Sequence, residues 1–284
     1  MRCSTAMAAL LATTFTLQEP ARSAQACEPL KRMAPAREVS GVENHAVSHA
    51  GRILDVRLWR FQPGEWSIKV VDMRDQRHRL AESGSFAAPS YSLNELAQTL
   101  RNKSVVSSGG MTESLYAPQP VGLLKVGGKQ KSGIYASSRI LDGVLCIDRA
   151  GRLSLLSEVT PGGRRVVQDK KVWDACYEAI QAGPMLVDQA AALISTRFDL
   201  TTARVFAGLD TKGLQMLGFV PRASTFDLAC ALASPELGLR QAIALQSDAL
   251  GGIEFGMHSG VKADTWGQDN AAIPTALVVT RRRP

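Results

Sequence analysis

The sequence is short of aromatic residues, at 6%, and it has no long hydrophobic run beyond its N-terminus. A bilayer-spanning helix needs about 20 apolar residues. Ala6 to Leu17 is too short for that, and every later apolar run is broken by charges within a few residues. No integral membrane segment is therefore expected in the mature chain. There is no CxxC, no HExxH and no GxSxG motif, so thioredoxin-type, zinc-protease and serine-hydrolase chemistry have no support. Internal repeats and low-complexity linkers are also missing, which argues for a single domain. The chain carries a formal charge of +7. The basic residues are spread out and not interleaved with aromatics, so nucleic acid is not an expected partner. Arg281, Arg282 and Arg283 form the one dense run, read as a solvated tail.

What is present points to export. Arg2 precedes the apolar stretch, and Ala24-Gln25-Ala26 supplies small residues at the positions a signal peptidase reads. Residues 1–26 are expected to be a signal peptide, cleaved before Cys27, giving a periplasmic or secreted protein. The leader takes away two basic residues and one acidic, leaving net +6. With Cys3 gone, Cys27, Cys146, Cys176 and Cys230 remain. Four cysteines permit two disulfides in three connectivities, or buried free thiols. Lipidation of Cys27 is disfavoured, because Ala24 stands where a bulky apolar residue is wanted.

Residues 27–51 are polar and contain proline, and read as a loose N-terminal arm. His45 and His49 fall in it, four apart, without a metal motif around them; no metal and no cofactor are expected. The globular pattern covers residues 52–284. Trp66 to Met73 is rich in β-branched residues and reads as a strand. Ser92-Leu93-Asn94-Glu95 is a capping box opening a helix with Leu93, Leu96 and Leu100 on one face. Hairpin turns are expected at Arg149 to Arg152 and at Asp210 to Gly213, and a second capped helix at Ser224. About ten short strands, mostly in hairpin-like pairs, accompany two or three helices. That is an α+β fold with a mixed or antiparallel sheet core.

Several segments, in order, carry a resemblance. They are Val70-Val71-Asp72; Ser108-Gly109-Gly110-Met111 followed by Pro120-Val121-Gly122-Leu123; Ala179-Ile180-Gln181-Ala182-Gly183-Pro184-Met185-Leu186-Val187; Ala203-Arg204 before Ala207-Gly208; and Ala242 to Ser247. Together, over roughly residues 66–256, the set resembles the phosphodiester glycosidase domain family, whose members include the enzyme that removes N-acetylglucosamine from a phosphodiester to uncover mannose 6-phosphate. Two polar positions depart from it. Ser108 stands where that family has asparagine, and Gln246 where it has aspartate.

The resemblance implies a hydrolase acting on a glycosyl phosphodiester or a phosphorylated glycan. Paired glycines allow positive φ and close backbone approach, so Gly109 and Gly110 are expected to form an anion nest, or else a plain tight turn. Arg204 offers a planar fork matching two phosphate oxygens. Gln181, in an apolar run, either satisfies core backbone or faces a sugar hydroxyl. Ser108 and Gln246 complete the substrate-binding set. Glycoside hydrolysis calls for carboxylates, and Asp248 and Asp210 are the catalytic candidates, with Glu113 a further one. The alternative is a non-catalytic relative that binds a phosphorylated glycan or envelope component, since a side-chain amide cannot act as a general base.

Overall fold

The computed structural model describes residues 27, 31–33, 37–39, 42–74, 93, 96, 100, 104–112, 119–160, 163–193, 200–247, 253–255, 265–266 and 273–282. The expected signal peptide, Glu113 and Asp248 lie outside the described residues.

Three antiparallel sheets make up most of the fold. The largest contains β1 (Lys31–Arg32), β2 (Arg37–Val39), β3 (Val42–His49), β4 (Arg52–Phe61), β14 (Met185–Asp188), β15 (Ala191–Ala192), β16 (Thr202–Asp210), β17 (Gln215–Ala223) and β18 (Leu239–Ser247). Its order is β1-β3-β4-β17-β16-β18-β14-β15, with β2 also on β3. A central sheet in the order β10-β9-β13-β7-β8 is built from β7 (Leu124–Val126), β8 (Lys129–Ser132), β9 (Gly143–Ile147), β10 (Leu153–Leu156) and β13 (Glu178–Ala182). The third sheet, in the order β20-β19-β6-β21-β5, comprises β5 (Trp66–Asp72), β6 (Ser104–Ser108), β19 (Ile253–Phe255), β20 (Thr265–Trp266) and β21 (Thr275–Arg281). A short ribbon pairs β11 (Glu158–Thr160) with β12 (Gly163–Arg165). Among the described residues two helices pack against the sheets, the mostly exposed α1 (Lys170–Asp174) and the mostly buried α2 (Thr225–Ala233).

Period-two alternation places these sheets. Along β16, Val205, Ala207 and Leu209 face one core, where they meet Leu145 and Ile180 of the central sheet and Ile68, Val70 and Leu277 of the third. Phe206, between them, faces the other side and packs with Leu54, Leu58 and Leu228 of α2. Its ring lies over Gly218, directly across on β17; a Cβ there would stand 2.1 Å from the ring. Outside the central sheet, Trp173 of α1 packs with Val144 and Leu123.

The architecture is the α+β, single-domain, largely antiparallel arrangement that the hairpin pattern predicts, with more and shorter strands than the sequence suggests. Both expected turns close hairpins, β9–β10 and β16–β17. Ser224 caps α2 by accepting the Asp227 N–H at 3.0 Å. Leu93, Leu96 and Leu100 do pack together, against Met73 and Val106. Four cysteines form two disulfides, Cys27–Cys230 and Cys146–Cys176. A thioether to lipid would need the same Cys27 sulfur that Cys230 holds.

Two expectations are corrected. Residues 42–49 are not a loose arm: β3 pairs with β4 over its whole length, and His45, Val47 and His49 face inward. The imidazoles hid the pattern, because each is buried against a carboxylate, His45 on Glu43 and His49 on Asp227, both at 2.8 Å. Nor is the basic C-terminal run wholly solvated. Arg281 ends β21, and the Arg282 guanidinium donates to the carbonyls of Trp66 and Ala150.

Candidate functional site

Gly109 and Gly110 follow β6 at one end of the third sheet. The Gly109 N–H donates to the Thr275 carbonyl at 3.0 Å, which continues the ladder with β21. That N–H is therefore spent, and the glycine pair does not form the two-amide nest expected from sequence. The requirement for glycine is instead steric. Gly110 has φ +75°, and a Cβ there would stand 2.7 Å from Ile180 Cγ2 of the central sheet. The missing side chain leaves the Thr275 hydroxyl 3.6 Å from that point. Thr275 Oγ1 is buried and has no hydrogen-bond partner among the described residues. An orphaned buried hydroxyl is uncommon and calls for a partner.

Ser108 is buried at the end of β6, its carbonyl accepting from the Ser107 hydroxyl at 3.0 Å. Gln181 lies one residue beyond Ile180 and is fully buried. Its Oε1 accepts from the N–H groups of Leu123 (3.1 Å) and Tyr135 (2.8 Å). Its Nε2 donates to the carbonyls of Tyr135 and Leu141, both at 3.0 Å. All four positions of the amide are used on backbone, so the sugar-facing expectation for Gln181 is replaced by a positioning one.

Arg204 is likewise buried, near the start of β16. Its Nε donates to the Ala223 carbonyl at 2.9 Å and one terminal nitrogen to the Leu200 carbonyl at 2.8 Å. Two of its five donors thus tie the strand end to the chain on either side, and the open phosphate fork expected from sequence is not what the structure holds. Gln246 is buried on β18 opposite Val205, one step from the Arg204–Ser247 pairing.

Asp210 is a correction. It sits at the far end of β16, six residues from Arg204, or about 20 Å along a strand. Its carboxylate caps the hairpin turn by accepting the N–H groups of Lys212 and Leu214, each at 2.8 Å, and meets Arg60 at 3.4 Å. It is a turn residue, its carboxylate committed to the hairpin and to Arg60.

Two carboxylates are linked to this region, one through Thr275 and one through Leu141. On one side Asp72 pairs in register with Thr275. Burial alone would raise its pKa, but two hydrogen bonds and the charge of the Arg74 guanidinium outweigh that and hold it below the usual carboxylate range. Arg74 also reaches Gln119 at 2.7 Å. On the other side Asp142 follows Leu141, whose carbonyl Gln181 holds. Asp142 packs under the cis Gly183–Pro184 bond and accepts the Met185 N–H at 2.7 Å. Burial dominates its environment and pushes its pKa up to about 6, against the lowering effect of that N–H. Sequence reading passed over Asp142. The only signal was an acidic residue in an otherwise apolar Ile140–Leu145 run. Among the described residues no group of three or more His, Cys, Asp or Glu is placed to hold a metal ion, and no helix is long and apolar enough to cross a membrane.

The fold has solved counterparts. No family model matches the chain, and no curated protein sequence matches it. A hypothetical protein from Synechocystis superposes with a TM-score of 0.62 at 13% identity, over 88% of this chain and 64% of that one. The catalytic domain of zebrafish N-acetylglucosamine-1-phosphodiester alpha-N-acetylglucosaminidase, solved auto-inhibited by its pro-peptide, gives 0.59 at 14% identity, over 89% and 88%. An exported protein from Burkholderia pseudomallei gives 0.52 at 11%, over 84% and 77%. The chain thus shares its fold with a glycosidase catalytic domain, at a sequence distance where fold is all that the likeness carries.

Proposed function

We propose that the chain is an exported hydrolase of glycosyl phosphodiesters, working at the strand ends around Gly110. The observation that carries this reading is the side-chain-free turn at Gly110, facing an orphaned Thr275 hydroxyl, on a fold shared with a glycosidase catalytic domain. Two disulfides, and a fold neighbour described as exported, support an oxidising compartment outside the cytoplasm.

The chemistry suits the carboxylates present. Water attacks the anomeric carbon, the carbon–oxygen bond to phosphate breaks, and the phosphomonoester leaves with the bonding pair. A phosphate leaving group needs little protonation, so the demand falls on a base that takes the proton from water. A base works best with a pKa near the working pH. Asp142, at about 6, meets that condition, with Asp248 as the other candidate. Asp72, ionised and clamped by Arg74, would stabilise positive charge at the anomeric carbon. Turnover of an α-N-acetylglucosaminyl phosphodiester should rise with pH through about 6 and fall at least ~100-fold in Asp142→Asn. A pH-independent rate, or an Asp142→Asn variant as fast as wild type, would remove Asp142 from the mechanism.

A second reading has its own observation. Gln246 occupies the position of the expected aspartate, and Gln181 and Arg204 spend hydrogen bonds on backbone. A protein that binds a phosphorylated glycan without cleaving it would look the same. It would show saturable binding of the phosphodiester and no release of sugar.

A further inference from the structure

At the opposite end of the central sheet lies a pocket of about 460 Å³, lined by Lys125, Asp148, Arg149, Arg152, Cys176 and Tyr177 among others. That volume falls within the usual range for small-molecule sites, about 300–1,000 Å³. It is separate from the Gly110 turn: Tyr177 and Gln181 are about 13 Å apart along the strand direction.

Lys125 is the unusual member. It belongs to β7, opposite Ala179 of β13, a place where an apolar side chain would be ordinary. Only 6% of it is exposed. Its ammonium donates to the Asp174 carbonyl at 2.7 Å, and among the described residues it has no carboxylate partner. A buried charge without a counter-charge is expensive, by several kcal/mol in a dry site. Yet Lys125 lines the pocket, so the charge stands at its wall.

A second cation, exposed at the rim, also lacks a carboxylate partner among the described residues. This is Arg149, in the β9–β10 turn, which stands 5.1 Å over the Tyr177 ring. Arg152, by contrast, is neutralised: its Nε donates to Asp148 at 2.7 Å, and its own N–H adds to that carboxylate at 2.9 Å. With Asp174 also in the lining, three cations face two carboxylates, so the concave volume carries a net charge of +1, and such a cleft concentrates anions. Its wall is fixed in place. The Cys146–Cys176 disulfide anchors the segment after α1 to β9, and the Gly128 N–H bonds the Tyr177 carbonyl at 2.7 Å.

We infer that this pocket binds a small molecule through a carboxylate or phosphate group, with Lys125 as the primary contact and Arg149 as the second. The inference does not rest on the proposed hydrolase activity. The oxyanion accepts from the Lys125 ammonium, and the remainder of the ligand lies against Tyr177.

The test is a backbone amide NMR titration of the oxidised chain. Inorganic phosphate and sodium glucuronate are the probes, and glucose is the neutral control. The inference expects saturable shifts at Gly128, Ala150 and Cys176 with at least one anion and none with glucose; the tighter anion identifies which acid the site prefers. Lys125→Met should weaken binding at least roughly tenfold, the range for a hydrogen bond to a charged group. Should that variant misfold, Arg149→Gln changes an exposed side chain and should weaken binding several-fold. No saturable shift at these amides with either anion, or unchanged affinity in the folded variants, would overturn it.

Discussion

Gln181 and Tyr135 are bound to each other twice: the amide oxygen of Gln181 accepts the Tyr135 N–H at 2.8 Å, and its nitrogen donates back to the Tyr135 carbonyl at 3.0 Å. Through this pair, and through Leu123 and Leu141, one side chain pins the irregular segments that run past Gly122 and under Asp142.

Replacing Gln181 should therefore unfold the protein more readily before it alters any chemistry. Gln181→Ala leaves four backbone groups without their partner, and the two buried ones, the Leu123 N–H and the Leu141 carbonyl, are worth about 1–3 kcal/mol each if no water takes over. A loss of about 3 kcal/mol or more in urea unfolding is expected. Full stability with abolished ligand binding would restore Gln181 as a substrate contact.

Asp142 gives the protein a pH-dependent stability of definite sign. Its folded pKa of about 6 lies above the ordinary 3.8, so the folded state holds the proton more tightly than the unfolded one. Stability from this group is full below about pH 4 and is lost as pH rises through 6. The loss approaches about 3 kcal/mol. Asp142→Asn keeps an oxygen for the Met185 N–H and carries no charge, so it should match wild type near pH 4 and exceed it at pH 7.5. Equal stability of the two at pH 7.5 would mean that burial does not burden this carboxylate.

The Cys27–Cys230 disulfide spans 203 residues and ties the N-terminus of the described chain to α2. Closing so long a loop removes much unfolded-state entropy. Cys230→Ser should lower stability by roughly 2–5 kcal/mol, seen as a lower Tm under oxidising conditions and no difference from wild type after reduction.

Gly110→Ala combines a positive φ with a methyl 2.7 Å from Ile180. It should destabilise by about 1–3 kcal/mol. Ile180→Ala beside it would relieve the contact but not the backbone strain, so rescue should be partial. Full rescue would show that sterics alone demand the glycine.

Much of the fold was legible because its signals are local. The turns at Arg149–Arg152 and Asp210–Gly213 carry their own turn chemistry, and the Ser224 cap is made within three residues. Strand β3 was missed because two of its three inward residues are histidines, each held at one ring nitrogen by a carboxylate, that of His49 being Asp227, 178 residues away. The site was less legible for the same reason. Whether the Gln181 amide faces ligand or backbone depends on Leu123, Tyr135 and Leu141, 40 to 58 residues distant. Arg204 looked like a free fork until the carbonyls of Leu200 and Ala223 closed on it. Asp142 is acidic in any reading, but only burial in the folded chain makes it a weak acid. The cysteine count permitted two disulfides, and the pairing needed the folded chain.

The most direct test of the central claim is release of free sugar from an α-N-acetylglucosaminyl phosphodiester by the oxidised chain beginning at Cys27, with Gln246→Asp assayed beside it. The account predicts release by the wild type, because Asp142 or Asp248 supplies the base that Gln246 cannot. No release by a well-folded wild type would contradict it, and gain of turnover in Gln246→Asp alone would identify a binding protein on a glycosidase scaffold.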